Sequence, residues 1–268
     1  MDKNIEVENI VIGQHTFIHP TAVIKGISGK SKNVFIGDCA YIGADVQIIC
    51  DDLFIGDYSK IHHHTNIHGY KPCRIGNNAW IGQYSIIDSI GGVSIGNNCG
   101  VGAHSQLWSH IKYGDTLEGC RFLSEGPLTI GNDVWFVGHC IVSPIMAEDK
   151  SMAMAGSVIV KDMKFNQIYA GSPAVSISQK IGGQFIDIDI DKKMELMQHH
   201  LKKACINKDK IKVVLSEDEA NFEDSISYFC ITTRRYTKKL SFDEIMFMKY
   251  LLPERGKFVP MDIKTHKV

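Results

Sequence analysis

The sequence predicts a mainly β protein in which parallel strands wind into stacked, three-sided coils, followed by a small C-terminal α/β domain. Two observations lead to this fold class. An Ile-Gly-Asp/Asn tripeptide begins successive segments at Ile36, Ile55, Ile75, Ile95 and Ile130, with spacings of 19, 20, 20 and 35 residues. Within each segment an apolar residue also recurs every six positions, which matches neither the 3.6-residue period of a helix nor the alternation of a simple hairpin.

The six-residue step predicts one face per hexapeptide and three faces per coil, with one apolar side chain pointing inward from each face. The inward triplets are Ile36, Ile42, Ile48; Ile55, Ile61, Ile67; Ile75, Ile81, Ile87; Ile95, Val101, Leu107; and Ile130, Phe136, Val142. The residue four positions after the first and second apolar residues of each triplet is never large, as a narrow interior requires. Because a coil buries its interior only against the next coil, about 4.8 Å away, we expect three stacked parallel sheets.

The repeat is interrupted once, between Leu107 and Ile130, where the interval holds 15 residues more than a 20-residue coil. We expect residues 108–129 to form a loop extruded from the coils. Long loops on a regular scaffold commonly line a functional site.

Four residues in or near this loop are candidate catalytic groups. His110 lies in the loop and His104 just before it, and an imidazole can accept a proton near neutral pH. Asp88, on the preceding coil, and Glu118, in the loop, are carboxylates that could orient a histidine or hold an acceptor amine.

Two columns of outward side chains are also expected from the stacking of the coils. One contains His64, Tyr84, His104 and His139, and the other contains Trp80 and Trp135 with Gly100 between them.

The hexapeptide pattern ends near residue 180, so we predict a coil domain over 1–179 and an α/β domain over 180–268. In the second domain, the alternation in 185–191 predicts a strand, and apolar spacing in 194–206 predicts a helix. Residues 211–216 and 226–233 read as strands. A last helix is expected to follow Ser241 as N-cap and to end near Pro253.

The composition of the chain argues against several classes of function. The formal net charge of −1 gives no indication of a nucleic-acid partner. No apolar run is long enough to span a membrane and no signal peptide is recognisable. The eight cysteines form no C-x-x-C pair. We therefore expect a cytoplasmic protein with reduced thiols and without a required metal.

Residues 130–174, IGNDVWFVGHCIVSPIMAEDKSMAMAGSVIVKDMKFNQIYAGSPA, resemble the terminal signature of the hexapeptide-repeat acyltransferases. The resemblance covers about residues 10–178. It implies a left-handed parallel β-helix, a homotrimer with active sites between subunits, and an acyl-coenzyme A co-substrate. The matching donor-binding residues are Trp135, Ala155, Gly156, Ser157, Lys161, Ala170, Gly171 and Pro173.

In many members of that family a histidine in or beside the extruded loop is the general base, and His110 matches by location. The layout of coils plus an α/β domain further resembles nucleotide-sugar N-acyltransferases, which acylate amino-dideoxysugars with acetyl or hydroxybutyryl groups for surface polysaccharides such as lipopolysaccharide.

Three alternatives remain at this point. The first is a sugar or polysaccharide O-acetyltransferase, which would share the donor site. The second is a zinc enzyme of the γ-carbonic-anhydrase type on the same coils, because zinc needs three ligands and five imidazoles are available: His62, His63, His64, His68 and His104. The third is a non-catalytic scaffold.

Overall fold

A computed structural model describes residues 4–261, which divide into two compact units, and the boundary along the chain falls between Phe185 and Ile186. We call residues 4–185 the coil unit and residues 186–261 the C-terminal unit, and each is described by itself.

The coil unit is almost entirely β. Its strands, in chain order, are β1 (Val7–Ile12), β2 (Phe17–Ile18), β3 (Val23–Lys25), β4 (Ser31–Ile36), β5 (Tyr41–Ile42), β6 (Gln47–Cys50), β7 (Asp52–Ile55), β8 (Lys60–Ile61), β9 (Asn66–Gly69), β10 (Cys73–Ile75), β11 (Trp80–Ile81), β12 (Ile86–Asp88), β13 (Val93–Ile95), β14 (Gly100–Val101), β15 (Gln106–Leu107), β16 (His110–Lys112), β17 (Leu123–Glu125), β18 (Leu128–Ile130), β19 (Trp135–Phe136), β20 (Ile141–Val142), β21 (Met146–Ala147), β22 (Met152–Ala153), β23 (Val158–Ile159), β24 (Ile168–Gly171) and β25 (Ala174–Ser176). A short helix, α1 (Ser178–Ile181), follows them.

These strands form three sheets, one for each face of the coils. Their orders are β1-β4-β7-β10-β13-β18-β21, β2-β5-β8-β11-β14-β19-β22-β24-β25 and β23-β20-β15-β12-β9-β6-β3. These three sheets contain every strand of the unit except β16 and β17. Within them each strand pairs with the equivalent strand of the neighbouring coil, and the pairing is parallel except between β24 and β25, which follow each other in the chain. The prediction of a mainly β fold of stacked parallel coils is confirmed.

The interior is filled by the side chains that the six-residue step selects. Ile36, Ile55, Ile75, Ile95 and Ile130 lie in register in five successive strands. All fifteen predicted inward residues are 2% exposed or less. Full burial of a side chain of this size contributes about 1.5–3 kcal/mol, so this apolar stack is the main stabilising feature of the unit.

The third residue of each Ile-Gly-Asp/Asn tripeptide forms a ladder along one corner of the stack. In each case the side-chain oxygen accepts a hydrogen bond from the backbone N–H of the equivalent residue one coil earlier. The ladder joins Asp38, Asp57, Asn77, Asn97, Asn132 and Asp149, at 2.7–2.9 Å. Since β ladders leave corner amides unpaired, the Asp or Asn in the tripeptide satisfies them.

Between β15 and β18 the chain leaves the coils and folds as a short hairpin. Strands β16 and β17 pair antiparallel, with His110 opposite Glu125. The tip carries exposed apolar side chains, among them Tyr113 and Leu117.

The C-terminal unit has a four-stranded sheet, two helices and two 3₁₀ turns. Its elements are α2 (Ile190–Lys203), a turn over Lys208–Lys210, β26 (Ile211–Val214), a turn over Glu217–Glu219, β27 (Ser227–Cys230), β28 (Arg235–Tyr236), α3 (Phe242–Leu251) and β29 (Val259–Pro260). The sheet order is β26-β27-β28-β29. Its core includes Phe229, Tyr236 and Phe247, which are fully buried.

Helices α2 and α3 and strands β26 and β27 lie where the sequence predicts them, whereas β28 and β29 were not predicted. Ser241 is the N-cap of α3, and its side chain accepts a hydrogen bond from Glu244 N. The strand predicted over 185–191 is wrong. The chain there is irregular, and α2 already begins at Ile190 because Asp189 accepts a hydrogen bond from Lys192 N as its N-cap.

Candidate functional site

Asp88 is a buried carboxylate that accepts several hydrogen bonds at the edge of the coils. It ends β12 and its side chain is 0% exposed. Its Oδ2 atom accepts hydrogen bonds from Ser109 N and Ser109 Oγ, both at 2.9 Å, and Ser109 Oγ in turn accepts one from Gly91 N at 2.8 Å. Because a buried carboxylate without partners would be costly, these donors account for its place at the corner.

His110 is the third partner of Asp88, with Nδ1 at 2.7 Å from Oδ2. A carboxylate only accepts hydrogen bonds, so Nδ1 carries the proton and Nε2 presents its lone pair. The side chain is 20% exposed, and the Trp108 ring lies edge-on to it at 6.2 Å. This is the arrangement of a histidine general base oriented by a carboxylate.

His68 approaches the same carboxylate from the preceding coil. It lies in register with Asp88 in the neighbouring strand, and its Nε2 is 3.6 Å from Asp88 Oδ1. Its Nδ1 is 2.7 Å from Asn66 Oδ1. Two imidazoles therefore flank one buried carboxylate.

A cluster of charges lies beside this dyad. Glu125, opposite His110 in the hairpin, accepts from Lys112 Nζ at 2.8 Å and forms an ion pair with Lys71 Nζ at 3.2 Å. Hydrogen bonds from Lys112 and then Lys71 hold the pKa of Glu125 below its ordinary value.

The structure places the other two catalytic candidates elsewhere. His104 lies at the corner before β15, whereas His110 follows that strand. His104 stacks between Tyr84 and His139, with ring centroids 5.1 and 4.9 Å apart. Glu118 is exposed at the hairpin tip, and no hydrogen bond or ion pair reaches it among the residues that the structure describes.

The ring stack has a simple geometric cause. His64, Tyr84, His104 and His139 occupy the same corner position in successive coils, each with φ between 51° and 59°. An identical left-handed backbone at each level points the rings in the same direction one strand spacing apart.

The donor-binding candidates lie on the later coils and after them. Trp135 is exposed and leans over Gly100, where a Cβ would be 3.0 Å from its Cδ1. Ala155, Gly156, Lys161, Gly171 and Pro173 are exposed and Ala170 is half-buried. Ser157, in contrast, is 0% exposed and its hydroxyl points into the coil, so only its main chain is available to a ligand.

Sequence reasoning named His68 only as a possible zinc ligand, and it missed Ser109 and the lysines on Glu125. For His68 a signal exists, because it lies 20 residues before Asp88 and the coil period brings the two side by side. Lys71 and Lys112 meet only through the register of the hairpin, for which the repeat contains no information.

No family model matches the sequence of the chain. The galactoside O-acetyltransferase of Escherichia coli strain K12 is 42% identical over 48 residues, which are 18% of this chain and 24% of that protein. The matched segment thus spans about a quarter of that relative's length.

Among solved structures, the polySia-specific acetyltransferase NeuO matches with a TM-score of 0.51 at 18% identity, over 71% of this chain and 89% of that one. A UDP-N-acetylglucosamine acyltransferase from Campylobacter jejuni matches with a TM-score of 0.49 at 18% identity, over 76% and 83%. No helix among residues 4–261 is long and apolar enough to cross a membrane.

The similarity to NeuO lies in the architecture of the coils. The register of the three parallel sheets indicates the same architecture. The chain therefore has the left-handed parallel β-helix fold of the hexapeptide-repeat acyltransferases.

Proposed function

We propose that the protein is an acyltransferase that moves an acyl group from acyl-coenzyme A to a sugar, with an amino group of a nucleotide-linked amino-dideoxysugar as acceptor. The observation that carries this proposal is the Asp88–His110 dyad, which lies where the hairpin leaves the coils. The family signature over residues 130–174 supports the choice of donor. We further propose a cytoplasmic homotrimer with sites between subunits, acting in the synthesis of a surface polysaccharide.

In the proposed reaction the acceptor nitrogen attacks the thioester carbonyl carbon. A C–N bond forms and the C–S bond breaks. His110 Nε2 takes the proton that the nitrogen loses, and the same proton then passes to the coenzyme A sulfur. Asp88 holds the imidazole in the required tautomer and stabilises the imidazolium between the two transfers. Backbone N–H groups would bind the oxyanion.

The direct test replaces each member of the dyad. Replacing His110 with Gln removes the base, and we expect kcat/KM to fall by about 10²–10⁴-fold. Asp88→Asn keeps the size of the side chain but offers Nδ1 a donor as well as an acceptor, so a large fall is expected there too. Release of free thiol from acetyl- and hydroxybutyryl-coenzyme A, with a panel of nucleotide-linked amino sugars, measures both.

His15→Asn is the matched control, because His15 is an exposed corner residue at which Asn tolerates the positive φ of 57°. A wild-type rate in His110→Gln would remove His110 from the mechanism.

The second candidate function is O-acetylation of a sugar hydroxyl. It is supported by the 42% identity over 48 residues with a galactoside O-acetyltransferase. A hydroxyl is a weaker nucleophile and depends more strongly on a base than a neutral amine does. Neutral sugars in the same panel therefore decide between N- and O-transfer, and metal analysis of the purified protein tests the zinc alternative.

A further inference from the structure

Glu125, Lys71 and Lys112 form a compact charge cluster, which we call the ion triad. Lys71 Nζ lies 3.2 Å from Oε1 of Glu125, and Lys112 Nζ lies 2.8 Å from Oε2. One carboxylate thus holds two ammonium groups side by side, one on each oxygen. Lys71 comes from the coil corner after β9 and Lys112 from the hairpin, so the pairing also joins these two elements.

The triad and the dyad share one face of the hairpin. His110 and Lys112 are two residues apart in β16, and residues so spaced in a strand point to the same side, about 7 Å apart. Glu125 lies directly opposite His110 in β17, so its side chain is on that side as well. The side chains of His110, Lys112 and Glu125 therefore leave the hairpin on the same side.

The ammonium groups retain free donors. Each ammonium carries three N–H groups, and each uses one on Glu125 in the part of the chain that the structure describes. The side chains of Lys71 and Lys112 are 54% and 55% exposed, against 30% for Glu125. The triad has a net charge of +1, because the lysines hold the pKa of Glu125 low and keep it ionised. Asp88, the carboxylate of the dyad, already accepts hydrogen bonds from Ser109 and His110.

We propose that Lys71 and Lys112 bind a negatively charged group of the acceptor, a phosphate or a carboxylate, and thereby select charged sugars over neutral ones. The inference rests on the proposed function and names the substrate class of the same site. Glu125 pre-positions the two ammonium groups, which would otherwise repel each other, and leaves their remaining donors directed outward for an anion to bridge. A phosphate of a nucleotide-linked sugar and the carboxylate of an acidic sugar offer the same chemistry.

The kinetic test compares acceptors with and without a negative charge: an amino sugar linked to a nucleotide, a carboxylate-bearing amino sugar, and the neutral methyl glycoside of the amino sugar. The wild-type protein should prefer the charged acceptors. In Lys71→Met and Lys112→Met, the ratio of kcat/KM for charged over neutral acceptors should fall about tenfold each, mainly through KM, because each loses a charge-assisted hydrogen bond. Lys25→Met, on an exposed strand away from the hairpin, controls for loss of a lysine.

An equal fall of kcat/KM for all acceptors in both variants would mean that the triad only tethers the hairpin, and would overturn the inference. So would a wild-type protein without preference for charge.

A binding measurement keeps the inference separate from the reaction. Calorimetric titration with pyrophosphate and with glucuronate should show binding that the double variant Lys71→Met/Lys112→Met loses and Lys25→Met retains. Pyrophosphate binding alone identifies a phosphate source, and glucuronate binding alone a carboxylate source. Lysine-dependent binding without transfer to any acceptor would support the anion site while contradicting the proposed function. No lysine-dependent binding of either probe would overturn the anion site.

Discussion

Burial lowers the pKa of His62, and the positive charges of Lys60 and His63 add to the effect. The His62 ring lies between Tyr41 and Trp80, with centroids 5.8 and 4.9 Å away, and its Nε2 is buried without a hydrogen-bond partner among the described residues. The neutral imidazole is therefore the form that the fold accommodates.

This makes the stability of the coil unit depend on pH. Since the folded-state pKa of His62 lies below the ordinary value of 6.5, the unfolded chain binds more protons below that pH. The free energy of unfolding is then fully retained above about pH 6.5 and falls as the pH drops through the folded-state value. His62→Phe, which keeps a ring between Tyr41 and Trp80, should lose less stability between pH 8 and pH 5 in denaturant unfolding.

The variant His15→Asn should retain the wild-type pH dependence, because His15 is exposed. The same slope in His62→Phe as in the wild type would contradict this account.

At the candidate site, the sequence names individual residues, but it does not show which of them are in contact. Asp88 and His110 could be named because the first lies on the coil before the break in the repeat and the second lies within the break. Their contact could not, since it depends on how the chain turns at Ser109 and on the buried hydrogen bonds there. For His104 the repeat does predict a contact, the ring stack with Tyr84 and His139. It does not show that His104 lies apart from His110.

Among the elements, the Asp/Asn ladder links the coils independently of the apolar interior. Asn97 is a central member, and its Oδ1 accepts hydrogen bonds from Asn77 N at 2.8 Å and Asn77 Nδ2 at 2.9 Å. Its own N–H and Nδ2 donate to Asn132 Oδ1. The ladder explains why the tripeptide prefers Asp or Asn over other polar residues.

Replacing Asn97 with Ala should lower the free energy of unfolding by about 1–3 kcal/mol, because the half-buried Asn77 N–H loses its acceptor. Asn97→Asp keeps that acceptor and should retain most of the stability. Chemical denaturation of both variants measures the difference, and equal losses would show that the ladder hydrogen bond is not the cause.

The close approach of neighbouring coils is a second property of these elements. A Cβ on Gly102 would overlap the carbonyl oxygen of Val137 on the next coil. On Gly126, in contrast, a Cβ would meet only Pro144 Cβ, at 4.0 Å. The two glycines therefore differ in the space around them.

Gly102→Ala should lower the free energy of unfolding by about 1–3 kcal/mol through overpacking, while Gly126→Ala should change it by less than about 0.5 kcal/mol. Thermal unfolding of the pair provides the comparison. Similar losses at both positions would mean that a general glycine effect, and not the contact with Val137, is responsible.

How well each element could be predicted depends on whether a regular sequence pattern marks it. Coils are determined by a six-residue repeat that is visible in each coil segment of the sequence, so all fifteen inward residues could be named. The segment 185–191 alternates apolar and polar residues, but no strand within residues 4–261 pairs with it, and the N-cap at Asp189 starts a helix instead. The hairpin pairing of β16 with β17 involves few residues and has no repeat to mark it.

For the whole molecule, the two units have separate hydrophobic cores. The core of the coil unit runs without interruption from Ala22 to Tyr169. In the C-terminal unit, Phe229 packs against Tyr236, Phe247 and Phe258, with ring centroids 5.2 Å away in each case. A unit that buries its own core can unfold as a cooperative unit of its own.

We therefore expect two unfolding transitions in calorimetry of the full chain. Phe247→Ala should cost about 3–5 kcal/mol and should lower one transition by at least about 10 °C in a unit of this size. The transition of the coil unit should stay in place, because Phe247 contributes nothing to that core. Ile61→Ala, inside the coils, is the reciprocal variant and should move the other transition. If either substitution displaced both transitions together, the two cores would be energetically coupled and the division at Phe185 would not describe how the protein unfolds.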